Sequence, residues 1–185
     1  MIHHDTTAED QLHQWIEQCV IDLSLCPFAS VPYRSGSVRI VVCRGESGAI
    51  ETPEEYLRKI EVELNHLVDE PAIETTLVAT EKALADFLDF NDFLASAEAL
   101  LSQCNCGSEF QLASFHPQYR FAGVDENDAG NYTNRAPYPV VQWLRTDTVS
   151  KAVDATDTLA IPQANIEKLQ QLEPAHLRKL FSWVK

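Results

Sequence analysis

Four short runs, residues 38–43, 75–80, 110–115 and 140–144, constrain this chain more than any other feature of it. The first two are rich in Val, Ile and Thr and read as buried strands. Segments with helical spacing separate the first three runs, so a helix carries each strand to the next. Strand–helix–strand crossovers favour right-handed parallel pairing within one sheet. The order α-β-α-β-α-β-loop-β-α-α predicts an α+β (α/β-like) protein, a small mixed sheet of about four strands with helices packed on it, followed by a helical C-terminal tail. The 185 residues hold no internal repeat, low-complexity segment or domain-sized linker. The chain therefore reads as a single globular domain over 1–185, with 172–185 as a C-terminal helical extension.

The helices have their own signals. Leu12, Trp15, Ile16, Cys19, Val20 and Leu23 form one apolar stripe; Thr6 with Glu9 suggests its capping box, and Pro27 its end. After the first strand, Gly45 and Gly48 break the chain. Thr52-Pro53-Glu54-Glu55 is a helix start, and Leu57, Ile60, Leu64, Leu67 and Val68 carry an apolar face to about residue 69. A third helix is expected over 81–103. Its Asp86, Asp89 and Asp92 recur every three residues and read as a solvated acidic face rather than a cation site. In the tail, a short turn is expected near 148–153. Ile166, Leu169 and Leu172 share a helix face, and a last helix from Pro174 carries Leu177, Leu180, Phe181 and Val184.

Charge divides the chain unevenly. Lys plus Arg total 14 and Asp plus Glu total 28, for a net charge of −14. That balance argues against nucleic acid or an anionic membrane as partner, since phosphate contacts need a basic surface. Yet three stretches, 23–45, 111–124 and 129–146, contain no acidic residue across 55 positions. They hold Arg34, Arg39, Arg44, Arg120, Arg135 and Arg145, and no lysine. Arginine is the residue that planar, bidentate anion recognition requires. The alternative is that strands and buried loops exclude carboxylates and their arginines pair with acids elsewhere.

No apolar run approaches the roughly 18 residues needed to span a bilayer, and the first residues lack a signal-peptide pattern, so a cytoplasmic location is expected. The five cysteines, Cys19, Cys26, Cys43, Cys104 and Cys106, show no disulfide framework, in keeping with a reducing compartment. Cys104-Asn105-Cys106 lacks a second Cys/His pair at zinc spacing and reads as a helix end before a turn at Gly107.

Leu25-Cys26-Pro27-Phe28-Ala29, Asp89-Phe90-Asn91-Asp92-Phe93, Ala113-Ser114-Phe115-His116-Pro117 and the run from Asn131 to Pro139 resemble the hallmark stretches of a bacterial family catalogued as domain of unknown function 1415. The resemblance covers about residues 8–172 and brings no established activity. Ala136 stands where a serine is frequent in that family.

Function must therefore come from the residues. The 24 residues from His116 to Pro139 show no regular pattern, and a loop of that length in a compact domain tends to be functional. His116, Arg120, Asn131, Thr133, Asn134, Arg135 and Tyr138, with Arg34, offer groups suited to a polar anionic ligand. The bland reading is that the Asn and Thr side chains bond their own loop backbone. Cys26 is a candidate nucleophile, with His116 as its base; against this, the C-terminal end of a helix disfavours a thiolate, unless Pro27 opens a new turn. Three readings follow: a binder of a small anionic metabolite, with or without enzymatic activity; a cysteine-dependent acyl or amide transferase or hydrolase; and a non-catalytic interaction module. No cofactor or metal is implied, and the oligomeric state is left open. A convergent cavity holding Cys26, His116 and Arg135 would favour the first reading, a close thiol–imidazole pair the second, and neither the third.

Overall fold

The computed structural model describes residues 6–44, 52–155 and 160–183. The expected sheet is present. Strands β1 (Val38–Cys43), β2 (Thr75–Thr80), β3 (Phe110–Phe115) and β4 (Val140–Arg145) form one mixed sheet in the order β1-β2-β4-β3. β1 and β2 pair in parallel, Ile40 opposite Leu77, across the helical crossover α3 (Pro53–Asp69). β4 enters antiparallel between β2 and β3, with Leu77 opposite Gln142 and Gln142 opposite Ala113.

Side chains alternate across a strand, so each strand serves two faces. The inner face packs against α3 and α4 (Phe87–Gln103). There Val78, Val141, Trp143 and Phe110 meet Tyr56, Ile60, Leu64, Phe90, Phe93 and Ala97. The Tyr56 hydroxyl donates to the Val78 carbonyl at 2.6 Å and accepts from the Val141 N–H at 3.1 Å, so one buried phenol ties α3 to two strands. Beside it, Glu63 is buried with Arg39 at 2.7 Å and Lys59 at 2.8 Å. Burial pushes that carboxyl up, but the two cations outweigh it and hold it below the ordinary range.

The outer face packs against α1 (Ala8–Trp15), a π-helical segment (Ile16–Ile21) and the helical tail. Leu12, Trp15, Cys19, Leu77, Ala79 and Val140 form its cluster with Leu169 of α6 (Ile161–Gln171) and Phe181, which follows α7 (Pro174–Leu180). Phe181 is 1% exposed. The C-terminal segment is thus built into the core.

Several local expectations shift. Thr7 with Asp10, one residue along from Thr6 and Glu9, forms the first capping box. The apolar stripe widens into the π-segment and ends at Ile21, well before Pro27. The helix after β2 begins at Phe87 rather than 81, because the Asp86 carboxylate accepts from the Leu88 and Asp89 N–H groups and so caps it. Asp86 is therefore a cap, and with Asp89 and Asp92 it is exposed to solvent, as expected of the acidic face. The turn expected near 148–153 lies within a longer helix, α5 (Thr146–Ala155). Thr52 and Glu55 form the capping box expected of them. Gly45, Gly48 and Val184 lie outside the described residues. Finally, Cys104 and Cys106 are paired as a disulfide, where the cysteine spacing showed no disulfide framework.

Candidate functional site

The His116–Pro139 loop is a self-supporting structure, and its polar residues supply the support. Residues Ala129–Asn134 form a 3-10 helix capped by Asp128, which the sequence did not signal. Asn131 is fully buried; its Oδ1 accepts from the Phe121 N–H at 3.1 Å and its Nδ2 donates to the Asp125 carbonyl at 2.7 Å. Thr133 donates to the Gly130 carbonyl at 2.7 Å, and Asn134 to the Ser114 carbonyl at 3.1 Å. Tyr138 donates to Gln11 Oε1 at 3.1 Å, tying the loop to α1. A long irregular loop leaves many backbone groups without ladder partners, and these side chains satisfy them.

Arg135 belongs to the same scaffold. It is 6% exposed and donates to the carbonyls of Tyr119 at 3.3 Å and Glu126 at 2.8 Å. Its guanidinium lies 4.3 Å from the centre of the Tyr132 ring. Burial is the leading influence on it and lowers its pKa.

His116 is likewise occupied. Its Nε2 lies 3.1 Å from the Leu84 carbonyl and its Nδ1 accepts from the Gln118 N–H at 3.0 Å. The proton must sit on Nε2, because the N–H that faces Nδ1 is itself a donor. The ring is wedged against Phe87 and Phe90 at 5.5 and 5.2 Å, and burial lowers its pKa. With both nitrogens engaged, this imidazole has no lone pair left to offer a thiol.

A ligand-sized space exists elsewhere. A cavity of about 610 Å³ lies against the outer face of the sheet, over Val38, Thr75, Leu77, Leu144, Gln142 and Ala113. The register explains why these residues meet. Val38, Thr75, Leu144 and Gln111 form one cross-sheet row, and Ile40, Leu77, Gln142 and Ala113 the next. Trp15 and Ile16, the segment from Leu25 to Tyr33, the end of the long loop and the start of α6 wall it in. Gly130 lets loop and helix close tightly there, since a Cβ at that position would stand 3.2 Å from Ile166 Cγ1.

Cys26 is on this wall. Ser24 adopts a left-handed backbone (φ 50°), and the chain turns from the π-segment toward α2 (Ser30–Arg34). From α6, Asn165 donates to the Leu25 carbonyl at 2.7 Å and Lys168 to the Leu23 carbonyl at 2.6 Å, fixing the turn. Burial raises the Cys26 thiol pKa; hydrogen bonds from the Phe28 and Ala29 N–H groups pull the other way. Cys26 thus opens a new turn, the arrangement that removes the helix-dipole objection, yet burial keeps it a thiol.

The structure does not bring Cys26, His116 and Arg135 to one cavity. Of the expected residues, Cys26, Thr133 and Asn134 line it; His116, Arg120, Asn131, Arg135, Tyr138 and Arg34 are absent from the described lining. Arg34 and Arg120 are exposed. Arg39 is bound to Glu63, and Arg44 stands 3.8 Å from Glu81. Arg145 reaches the lining, but its Nε and Nη2 donate to the Ile73, Leu67 and Glu70 carbonyls. The acid-free stretches therefore reflect strands and buried loop more than one electropositive pocket.

Sequence reasoning passed over Gln142. It is a polar residue centred on an apolar cavity floor, and its position inside a strand of Val, Trp and Leu was the available signal. Its Nε2 donates to Thr75 Oγ1 at 2.8 Å, and Thr75 in turn to the Trp143 carbonyl at 2.7 Å. No donor among the described residues reaches Gln142 Oε1. Among the described residues no group of three or more His, Cys, Asp or Glu is placed to hold a metal ion, and no helix is long and apolar enough to cross a membrane.

A mixed four-stranded sheet, closed by helices on one face and holding a cavity on the other, defines an α+β protein with a sheet-face crevice. The chain matches the family described as Protein of unknown function (DUF1415) over residues 7–179, and it belongs to that family. No curated protein and no solved structure matches it.

Proposed function

We propose that this protein binds a small, mainly apolar molecule in the outer-face cavity, with one neutral polar group of the ligand meeting Gln142 Oε1. The observation that carries this reading is the cavity itself. Its volume of about 610 Å³ falls within the usual range for small-molecule sites. Its floor is apolar apart from Thr75 and Gln142, and Thr75 and Gln142 Nε2 are already engaged with each other. A free amide oxygen on such a floor suits a ligand hydroxyl or N–H. A small-molecule ligand was expected from the sequence; its anionic character has less support. Arg145 is committed to carbonyls, and Glu74 shares the same wall.

Decanol, decanoate and inorganic phosphate, compared by thermal shift, separate the chemistries. Decanol should raise the melting temperature most, by linkage to the folded state. Ala113→Phe, which fills the floor, should abolish the rise while the variant still melts cooperatively. Bound decanol should also shield Cys26 from iodoacetamide. A rise with phosphate and none with decanol would return the anionic reading.

A second reading rests on Cys26, which lines this cavity and whose thiol takes hydrogen bonds from two backbone N–H groups. A nucleophilic Cys26 would act without His116. Its mark would be labelling faster than that of Cys19 and Cys43, unaffected by substitution of His116.

A further inference from the structure

We propose that Cys104 and Cys106 are a reversible dithiol–disulfide couple, with the exposed Cys104 sulfur as the point of exchange with a low-molecular-weight thiol of the glutathione type. This inference is independent of the ligand cavity. It begins with how α4 stops. Cys104 caps the helix, with its N–H on the Leu100 carbonyl at 3.0 Å. Asn105 follows in the left-handed region (φ 54°), a conformation that Asn tolerates better than most residues. Its N–H bonds the Ser102 carbonyl at 3.3 Å, and the Cys106 N–H bonds the Leu101 carbonyl at 3.0 Å. These are the paired bonds of a Schellman stop.

That stop brings the two cysteines together. Their Cα atoms are 5.2 Å apart, inside the span a disulfide accepts. The same backbone suits the reduced pair: the Cys104 sulfur lies 3.5 Å from the Leu101 carbonyl, which accepts from it when it is a thiol. Both oxidation states thus fit one set of helix-end hydrogen bonds.

The placement separates this bridge from a structural one. Closing a ring across one intervening residue removes little chain entropy from the unfolded state, so stability is a weak reason for the pair. Cys106 is 5% exposed and anchored in the inner cluster, whereas Cys104 is open to solvent. Beside Cys104 lies a depression of about 180 Å³, bordered by Glu61, Asn65 and Gln103, where the polar part of an incoming thiol can rest. Accessible disulfides of this kind are the exchangeable ones.

The chemistry balances with two equivalents of thiol. An external thiolate attacks Cys104 Sγ, forming a mixed disulfide and releasing Cys106 as a thiolate that takes up a proton. A second external thiolate attacks the external sulfur of that mixed disulfide. Cys104 leaves as a thiolate and is protonated, and the two external thiols depart as their own disulfide. Oxidation runs the same steps in reverse.

The test equilibrates the full chain in glutathione buffers from fully reduced to fully oxidised, quenches with acid, alkylates, and maps the cysteines by mass spectrometry. Five alkylated cysteines are expected at the reducing end and three, Cys19, Cys26 and Cys43, at the oxidising end. Cys104 and Cys106 should be lost together, with two hydrogens removed and no glutathione retained. Cys106→Ser should keep a glutathione on Cys104, and Cys104→Ser should leave the buried Cys106 without one. Circular dichroism at both ends should show the same helix content. Alkylation of both cysteines in every buffer, protection of both in every buffer, or a glutathione retained on native Cys104 would each overturn the proposal.

Discussion

At the scale of single residues, His116 shows how a candidate base becomes a fold element. A protonated ring would set an Nδ1–H against the Gln118 N–H, and burial adds its own penalty. The folded-state pKa is therefore below the ordinary 6.5, while the unfolded chain titrates near it. Above that value both states are neutral and the full stability is present. As pH falls through 6.5 toward the lower folded pKa, the unfolded state takes up a proton first and stability declines. Urea midpoints measured from neutral pH downward should fall in this window. His116→Phe should be less stable throughout and lack that part of the slope. The variant abandons the Leu84 carbonyl and the Gln118 N–H, at a cost of about 1–3 kcal/mol for each buried group left unsatisfied. An unchanged slope would remove His116 from the proton balance.

The same scale explains why the candidate site was only partly legible. Asn, Thr, His and Arg in an irregular stretch carry identical signals whether they face a ligand or their own backbone. Asn131 and Arg135 proved to face backbone carbonyls, a choice made by tertiary placement and not by residue type. Cys26 was legible as a residue beside a chain break. Gln142 was overlooked because the signs of strand and of binding floor coincide there.

Among the elements, strands were the most legible. β1, β2 and β3 fall where their short apolar runs lie, and β4 extends to Arg145. Helix ends were legible where a proline joined a cap, as at Thr52-Pro53. They were missed where apolar spacing continued past the true boundary. Residues 81–86 hold Ala83 and Leu84 at tolerable helical spacing, yet Leu84 has φ 57° and Asp86 begins the helix. The π-segment had no sequence signal, since widening a helix changes hydrogen-bond partners without changing which residues are apolar. If Asp86 is the cap, Asp86→Ala should destabilise the protein by about 1 kcal/mol in urea denaturation. Asp89→Ala, one turn inside, should cost less. Equal costs would assign both carboxylates to the same general surface role.

For the molecule as a whole, the two faces of the sheet are unequal. The inner face is closed by contiguous chain, from β1 through β4 with α3 and α4 between. The outer face joins the first helix to the last segments, and there the cavity persists. The sequence suggested that residues 172–185 are an extension. Phe181 packs edge-on to Tyr132 at 4.9 Å and is buried in the outer cluster, so it behaves as core. Phe181→Ala should cost about 3–5 kcal/mol, the range for a buried aromatic. Chemical denaturation followed by tryptophan fluorescence would measure it, and a loss below 1 kcal/mol would make the segment the accessory the sequence suggested.

The closure of that outer face has a consequence for the living cell. Cys19 Sγ reaches the Leu180 carbonyl at 3.6 Å across 161 positions of chain. At about 5–20 residues per second, a ribosome takes roughly ten to thirty seconds to make that interval. Throughout it, Leu12, Trp15 and Cys19 are made but have no final cover, while the inner layer can close as soon as β4 emerges. The nascent chain thus passes through a half-built stage with a greasy helix in search of shelter, the kind of surface that chaperones seize.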